Sequence, residues 1–209
     1  MKKVVFTIAL VSSLSIAFTT SAQVSKRSSN SHSDSFLFID VHNMPAGKVR
    51  FADVAGAHRK DLAVQQKHGV NFLKYWVDEK NSRIYCLAEA KDSNAIRKAH
   101  GEAHGLLPDR IHAVSSGDEA ALIDGRPYYL DIHEFGAGNV SAAAVAGAHE
   151  KDLAQQAKFG VNFINYWIDE KAGVVMCLSQ APDAKSVHET HKHAHGLVPT
   201  RIMEVQQGE

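Results

Sequence analysis

Four pairs of histidines recur along the chain at one fixed offset: His42 and His133, His58 and His149, His100 and His191, His104 and His195. The offset is 91 residues, the difference between 149 and 58. Imidazole is the commonest protein ligand for divalent transition metals, so a repeated histidine set points to metal coordination. Asp40 stands two residues before His42 on the same side of an alternating segment. It suits three roles: a carboxylate ligand, the partner that fixes an imidazole tautomer, or an ordinary hydrogen-bond anchor. His32, His68, His112, His188 and His193 have no counterpart, so half of the run "HETHKHAHG" is expected to face solvent. A single histidine on an apolar helix face is more often a core residue bonded to a carbonyl. Several imidazoles brought together are different: they repel on protonation and each needs its own partner, which one cation supplies to all. Cys86 and Cys177 are also equivalent, and three readings stand for them: buried free thiols, a disulfide, or metal ligands. A bridge requires Cα atoms within about 7 Å.

The histidines belong to a duplication. "VAGAHRKDLAVQQKHGVNFLKYWVDEK" from Val54 recurs as "VAGAHEKDLAQQAKFGVNFINYWIDEK" from Val145, without a gap from Leu37/Tyr128 to Val114/Val205. The organisation is a first repeat at 36–114, a polar linker at 115–127 and a second repeat at 128–209. Each repeat begins with an alternating strand: Leu37, Ile39 and Val41 fall on one face, Phe38, Asp40 and His42 on the other. Helical spacing follows from Phe51 to a stop at Gly69, with Ser141 as a helix cap in the second copy. Two strands then flank the Asp78–Ser82 turn, Asp92 caps a second helix ending at His104 and Gly105, and a short strand covers Arg110–Val114. The order βαββαβ predicts tandem ferredoxin-like units of the α+β class. Each unit leaves one sheet face bare, and pressing the two bare faces together makes an intramolecular, pseudo-dimeric α+β barrel, so that one chain is its own dimer.

In this topology the end of the first strand, the start of the first helix and the end of the second helix share one rim. His42, His58 and His104 are thereby collected, with His100 one turn below His104. Strict alternation raises a difficulty, because it places His42 on the open sheet face while His58 approaches from the helix side. Either strand twist reconciles them or the four histidines split between two sites.

The start of the chain, Lys2 and Lys3 followed by an apolar run to Phe18 and small residues to Ala22, reads as a cleavable signal at 1–22. A polar, Ser-rich stretch at 23–35 reads as a disordered leader. The expectation is a periplasmic or secreted protein, free of the membrane after cleavage; the competing reading, an uncleaved anchor, suits a longer and less interrupted run. Lys+Arg and Asp+Glu balance at 23 each, so no basic field gathers nucleic acid.

"AHRKDLAVQQKHGVNFLKYWVDE", "CLAEAKD" and "AHGLLPDRI" together resemble a family of small nickel-binding ferredoxin-like proteins typified by a nickel-responsive actinobacterial protein and long catalogued as a domain of unknown function. The likeness spans both copies. It implies a dimeric α+β barrel, nickel bound through histidines, and no established catalysis. It also implies single-unit chains without an export signal, from which this chain departs on both counts. Carried onto this sequence, it selects His42, His58 and His104 with His133, His149 and His195 as ligands; adding His100 and His191 completes the repeated set.

The reading is therefore an exported protein binding Ni²⁺ or a similar divalent ion, with one metal site in each repeat and monomeric as a fused pair. The alternative is a small-molecule binder or enzyme whose pocket is lined by Tyr75, Trp76, Tyr166 and Trp167, with histidine beside Asp40 or Asp61 as general base. No nucleophile elbow, phosphate loop or cofactor fingerprint accompanies these residues. Ligation by neutral imidazoles predicts affinity that falls as pH drops below about 6.5, checked by calorimetric metal titration across that range.

Overall fold

The computed structural model describes residues 35–209. The signal read at 1–22, and all but the last residue of the leader at 23–35, lie outside the described residues. The first half contains β1 (Phe36–Asn43), α1 (Phe51–His68), β2 (Val70–Asp78), β3 (Arg83–Ala90), α2 (Ser93–Ala103) and β4 (Arg110–Ser116). The second repeats the order as β5 (Tyr128–Glu134), α3 (Ala142–Gln155), β6 (Asn162–Asp169), β7 (Val174–Gln180), α4 (Ala184–Ala194) and β8 (Arg201–Gly208). These are two tandem ferredoxin-like units. Their strands close into one antiparallel barrel in the order β1-β3-β2-β8-β5-β7-β6-β4.

Local chemistry sets the element ends. The carboxylates of Asp92 and Asp183 accept from the backbone N–H groups of Ala95 and Ser186, and the Ser141 hydroxyl accepts from Ala144. Gly69 takes the left-handed conformation (φ 64°) that closes α1. The halves differ at the equivalent place: α3 tightens into a 3-10 turn at Gln156–Phe159 before Gly160. Both endings keep the same tie, since Gln65 and Gln156 each accept from the N–H of the following Phe72 or Phe163.

Strand alternation sorts the side chains into layers. Ile39, Val41, Trp76, Tyr85 and Leu87 point into the barrel and meet Leu130, Ile132, Trp167, Met176 and Leu178 from the other half. The Trp76 and Trp167 rings stand 4.9 Å apart. Phe38, Asp40 and His42 therefore point outward, under α1 and α2. The expectation that placed His42 on the open face is corrected: alternation fixes which residues share a face but not which face the helices cover. The apolar trio Leu37, Ile39 and Val41 takes the barrel interior. The pairing of β2 with β3 shifts register between Phe72 and Lys74, and a matching shift lies between Phe163 and Asn165. These bulges let Phe72 and Tyr75 occupy the same helix-covered face.

Two short seams join the halves. Tyr75 to Val77 of β2 pair with Gln206 to Gly208 of β8, while Ser115 and Ser116 of β4 pair with Ile168 and Trp167 of β6. The last strand of each repeat thus runs past the expected Val114, and Gly117 adds a hydrogen bond to the Tyr166 carbonyl. Gly117 and Gly208, 91 residues apart, lie against the rings of Tyr166 and Tyr75. A Cβ would come within 2.4 Å of the first ring and 2.2 Å of the second. Only glycine lets the crossing strand approach so closely. Gly117→Val is expected to destabilise the fold by about 2 kcal/mol through overpacking, read as a lower midpoint in denaturant unfolding followed by circular dichroism.

Candidate metal centre

Beneath α1 and α2, β1 presents Asp40 and His42, α2 presents His100, and α1 presents His58 and Asp61. All are buried. His42 Nε2 lies 3.0 Å from Asp40 Oδ1, and His100 Nε2 lies 3.3 Å from Asp40 Oδ2. The His42 and His100 rings stand edge to face, 5.2 Å between centroids at 83°. On its far side His100 Nδ1 donates to Asp61 Oδ1 at 2.9 Å. The second half repeats this arrangement: His133 to Asp131 at 3.2 Å, His191 to Asp131 at 3.4 Å and His191 to Asp152 at 3.0 Å.

The donor set fits a transition-metal ion. Bonds of about 2.1 Å separate neighbouring donors by about 3.0 Å in octahedral and about 3.4 Å in tetrahedral geometry, the spacings seen around Asp40 and Asp131. Donor atoms of Asp40, His42 and His100 lie mutually within 4.8 Å, as do those of Asp131, His133, Cys177 and His191. Eight buried side-chain polar atoms among the described residues have no hydrogen-bond partner; Asp40 Oδ1, His58 Nε2, Asp131 Oδ1 and His133 Nδ1 are four of them. His42 approaches Asp40 Oδ1 closely but with no hydrogen aligned on it. Each orphan costs about 1–3 kcal/mol, and a shared cation relieves several together.

The eight sequence-selected histidines divide by role. His42, His100, His133 and His191 join the donor groups around Asp40 and Asp131, and His104 and His195 join His100 and His191 in a second pair of close groups around Asp61 and Asp152. His58 and His149 line the same two cavities, of about 110 and 130 Å³, against Tyr75 and Tyr166 at 4.7 Å between centroids. Burial holds both rings below the usual imidazole pKa, leaving them neutral, and His58 Nε2 is unpartnered. His104 and His195 face differently. Their Nδ1 atoms accept from the N–H groups of Leu106 and Leu197 at 3.1 Å. A neutral ring then carries its proton on Nε2, which points at Asp61 or Asp152 at 3.2 and 3.1 Å. Both rings thus meet the helix aspartates beside His100 and His191.

Asp61 and Asp152 are the residues that sequence reasoning undervalued, having considered only Asp61, and that as the partner of a general-base histidine. The signal lay in "AHRKD" and "AHEKD": the aspartate follows the helix histidine by three residues, on the same helix face, in both copies. Cys86 and Cys177 are free, buried thiols, one lining each cavity. Burial, reinforced by the neighbouring aspartates, raises both far above the ordinary thiol range.

Burial disfavours a charged His100, but hydrogen bonds and charge from Asp40 and Asp61 outweigh it and push the ring up to about 9. Asp131 and Asp152 likewise bring His191 to about 10. Burial would raise Asp40, Asp61 and Asp131, yet their histidine partners hold all three below the usual carboxylate value. Each histidinium is pinned between two carboxylates.

The profile of the family described as "Nickel responsive protein SCO4226-like" matches the chain twice, at residues 38–114 and 129–205. Among solved structures, SCO4226 from Streptomyces coelicolor A3(2) is 30% identical, with 39% of this chain and 99% of that one covered and a TM-score of 0.37. Chlorite dismutase from Candidatus Nitrospira defluvii is 8% identical, with 85% and 92% covered and a TM-score of 0.49. No curated protein matches the chain.

The shifts set a pH profile for the metal-free protein. His100 and His191 are raised above 6.5, so their contribution is complete below that pH and is lost as pH climbs through about 9 and 10. His58, His149 and His195 are lowered, so their protonation costs stability as pH falls below 6.5. The melting temperature is expected to peak near pH 6.5 and fall on both sides. In His100→Gln/His191→Gln the alkaline fall should flatten, as scanning calorimetry would show.

Proposed function

The chain belongs to the nickel-responsive SCO4226-like family, and on that premise we propose that it is a metal-binding protein holding one divalent ion, nickel in the first instance, in each half. The observation that carries this reading is the twice-built set of two imidazoles and one carboxylate, Asp40–His42–His100 and Asp131–His133–His191. Such donors suit Ni, Cu, Zn and Fe(II) alike; the family points to nickel. Asp61 holds His100 by Nδ1–H and leaves Nε2 as the donor toward Asp40 and His42, the carboxylate–histidine arrangement that sets tautomer and basicity at metal sites. Asp152 does the same for His191. A bound cation would offset the buried carboxylate charge. His58 and His149, neutral and across the cavity, are suited to complete the ligand set. The repeat asymmetry places a thiol, Cys177, among the donors of the second site alone.

The signal-like residues 1–22 support a periplasmic or secreted location, and barrel closure within one chain supports a monomer. No helix among the described residues is long and apolar enough to cross a membrane. A second reading, acid–base catalysis on a small molecule, has the apolar cavity walls beside the donors in its favour. Against it, His100, the imidazole between Asp40 and Asp61, is pushed up to about 9, so it is protonated and a poor base near neutrality.

Nickel titration of chelator-stripped protein, by calorimetry or competition with a coloured chelator, is expected to give two ions per chain. His42→Ala should leave one ion, and His42→Ala/His133→Ala none. His58→Ala/His149→Ala should keep two ions at affinity reduced tenfold or more. A melting temperature that does not move with nickel in the parent protein, or two ions retained by folded His42→Ala/His133→Ala, would refute the assignment.

A further inference from the structure

A second kind of cavity, of about 210 Å³, opens at one end of the barrel between the two halves and includes neither metal pocket. Its polar lining includes Arg83, Arg110, Arg201, Tyr85, His112 and Glu134, with Asn43 beside them. The strand wall separates it from the metal pockets: Val41 and Ile132 face this cavity, whereas the next residues, His42 and His133, face the helices.

Three guanidinium groups line this space. Among the described residues the one carboxylate within ion-pair distance of any of them is Glu134, 2.6 Å from Arg201. Arg201 Nε is buried without a hydrogen-bond partner. The buried Tyr85 hydroxyl meets a thioether, Met203 Sδ at 3.5 Å, which is a weak acceptor. His112 spends Nδ1 on Asp169 at 2.9 Å and keeps Nε2 for another partner. The donors at this opening thus outnumber their acceptors, and planar guanidinium forks match carboxylate and phosphate groups.

The duplication adds an independent observation. A barrel of two identical chains must line a cavity on its axis with the same residues twice. Here Arg110 and Arg201 are equivalent, but Arg83 faces Val174 as its counterpart, Tyr85 faces Met176 and His112 faces Met203. One half supplies polar groups where the other supplies apolar ones. The fused chain has built a lopsided pocket that no symmetric dimer can make.

We propose that this cavity binds a small multivalent oxyanion, phosphate or a short polycarboxylate, through the forks of Arg83, Arg110 and Arg201, with Tyr85 and His112 as further donors. The assignment is independent of the metal reading, because it is tested on metal-free protein. The whole chain, stripped of metal and held in a zwitterionic buffer, is titrated separately with inorganic phosphate and with tricarballylate, a weak chelator. Arginine Nε–Hε resonances and the melting temperature are followed. One saturable site per chain is expected, with the Arg201 Nε–Hε resonance shifting; preference between the probes identifies the kind of anion. Arg83→Gln/Arg110→Gln should weaken binding tenfold or more. If that variant folds poorly, Arg83→Lys and Arg110→Lys, which keep charge but lose the fork, should each weaken it several-fold. Non-saturating shifts that potassium chloride reproduces, or unchanged affinity in the folded arginine variants, would overturn the proposal.

Discussion

The structure depends on a buried histidinium held between two carboxylates, once in each half. His100 comes from α2, Asp61 from α1 and Asp40 from β1, so a single ring ties both helices to the sheet. Charges taken out of water carry a desolvation penalty of several kcal/mol each, and their attraction recovers it only when geometry is good and remaining lone pairs are satisfied. The first condition is met by Asp61, which receives His100 and His104. The second fails at Asp40 Oδ1. This carboxylate oxygen, left without a hydrogen, is where the proposed cation would contribute most, and Phe72 packs against the neighbouring His100 ring.

Much of this was legible in the chain. The 91-residue repeat gave the number of units, and alternation and capping residues gave the βαββαβ order, because these are local signals that each copy states twice. The collection of His42, His58 and His104, with His100 one turn below, also followed from topology, and all four line one cavity. The face of β1 did not, since alternation is blind to which side carries helices; the apolar weight of Leu37, Ile39 and Val41 was the usable clue. Nor was the backbone tie of His104 visible. It rests on a backbone N–H two residues on, a contact that depends on the turn conformation at Gly105 and not on residue spacing. The extension of β4 through Ser116 was hidden as well, because its pairing partner lies in the other repeat.

Duplication also separates what the fold needs from what it tolerates. The outward-facing donors are matched almost residue for residue between halves, with distances agreeing within about 0.2 Å. The inward-facing mouth of the barrel has diverged, from Tyr85 to Met176 and from Arg83 to Val174. Helix docking constrains the first set twice over. The mouth escapes that double constraint, and there the two halves supply different side chains.

The crossing strands have a further consequence. Each half extends its final strand into its neighbour's sheet, with Gly208 seated on the tyrosine that backs His58 and Gly117 on the one that backs His149. In a separable pair these strands would come away on dilution, and both histidine-lined cavities would loosen as the partners drifted apart. A short covalent tether instead keeps each half at an effective concentration of about millimolar around the other, whatever the number of molecules present. On the metal reading proposed above, ion retention is thereby uncoupled from protein abundance.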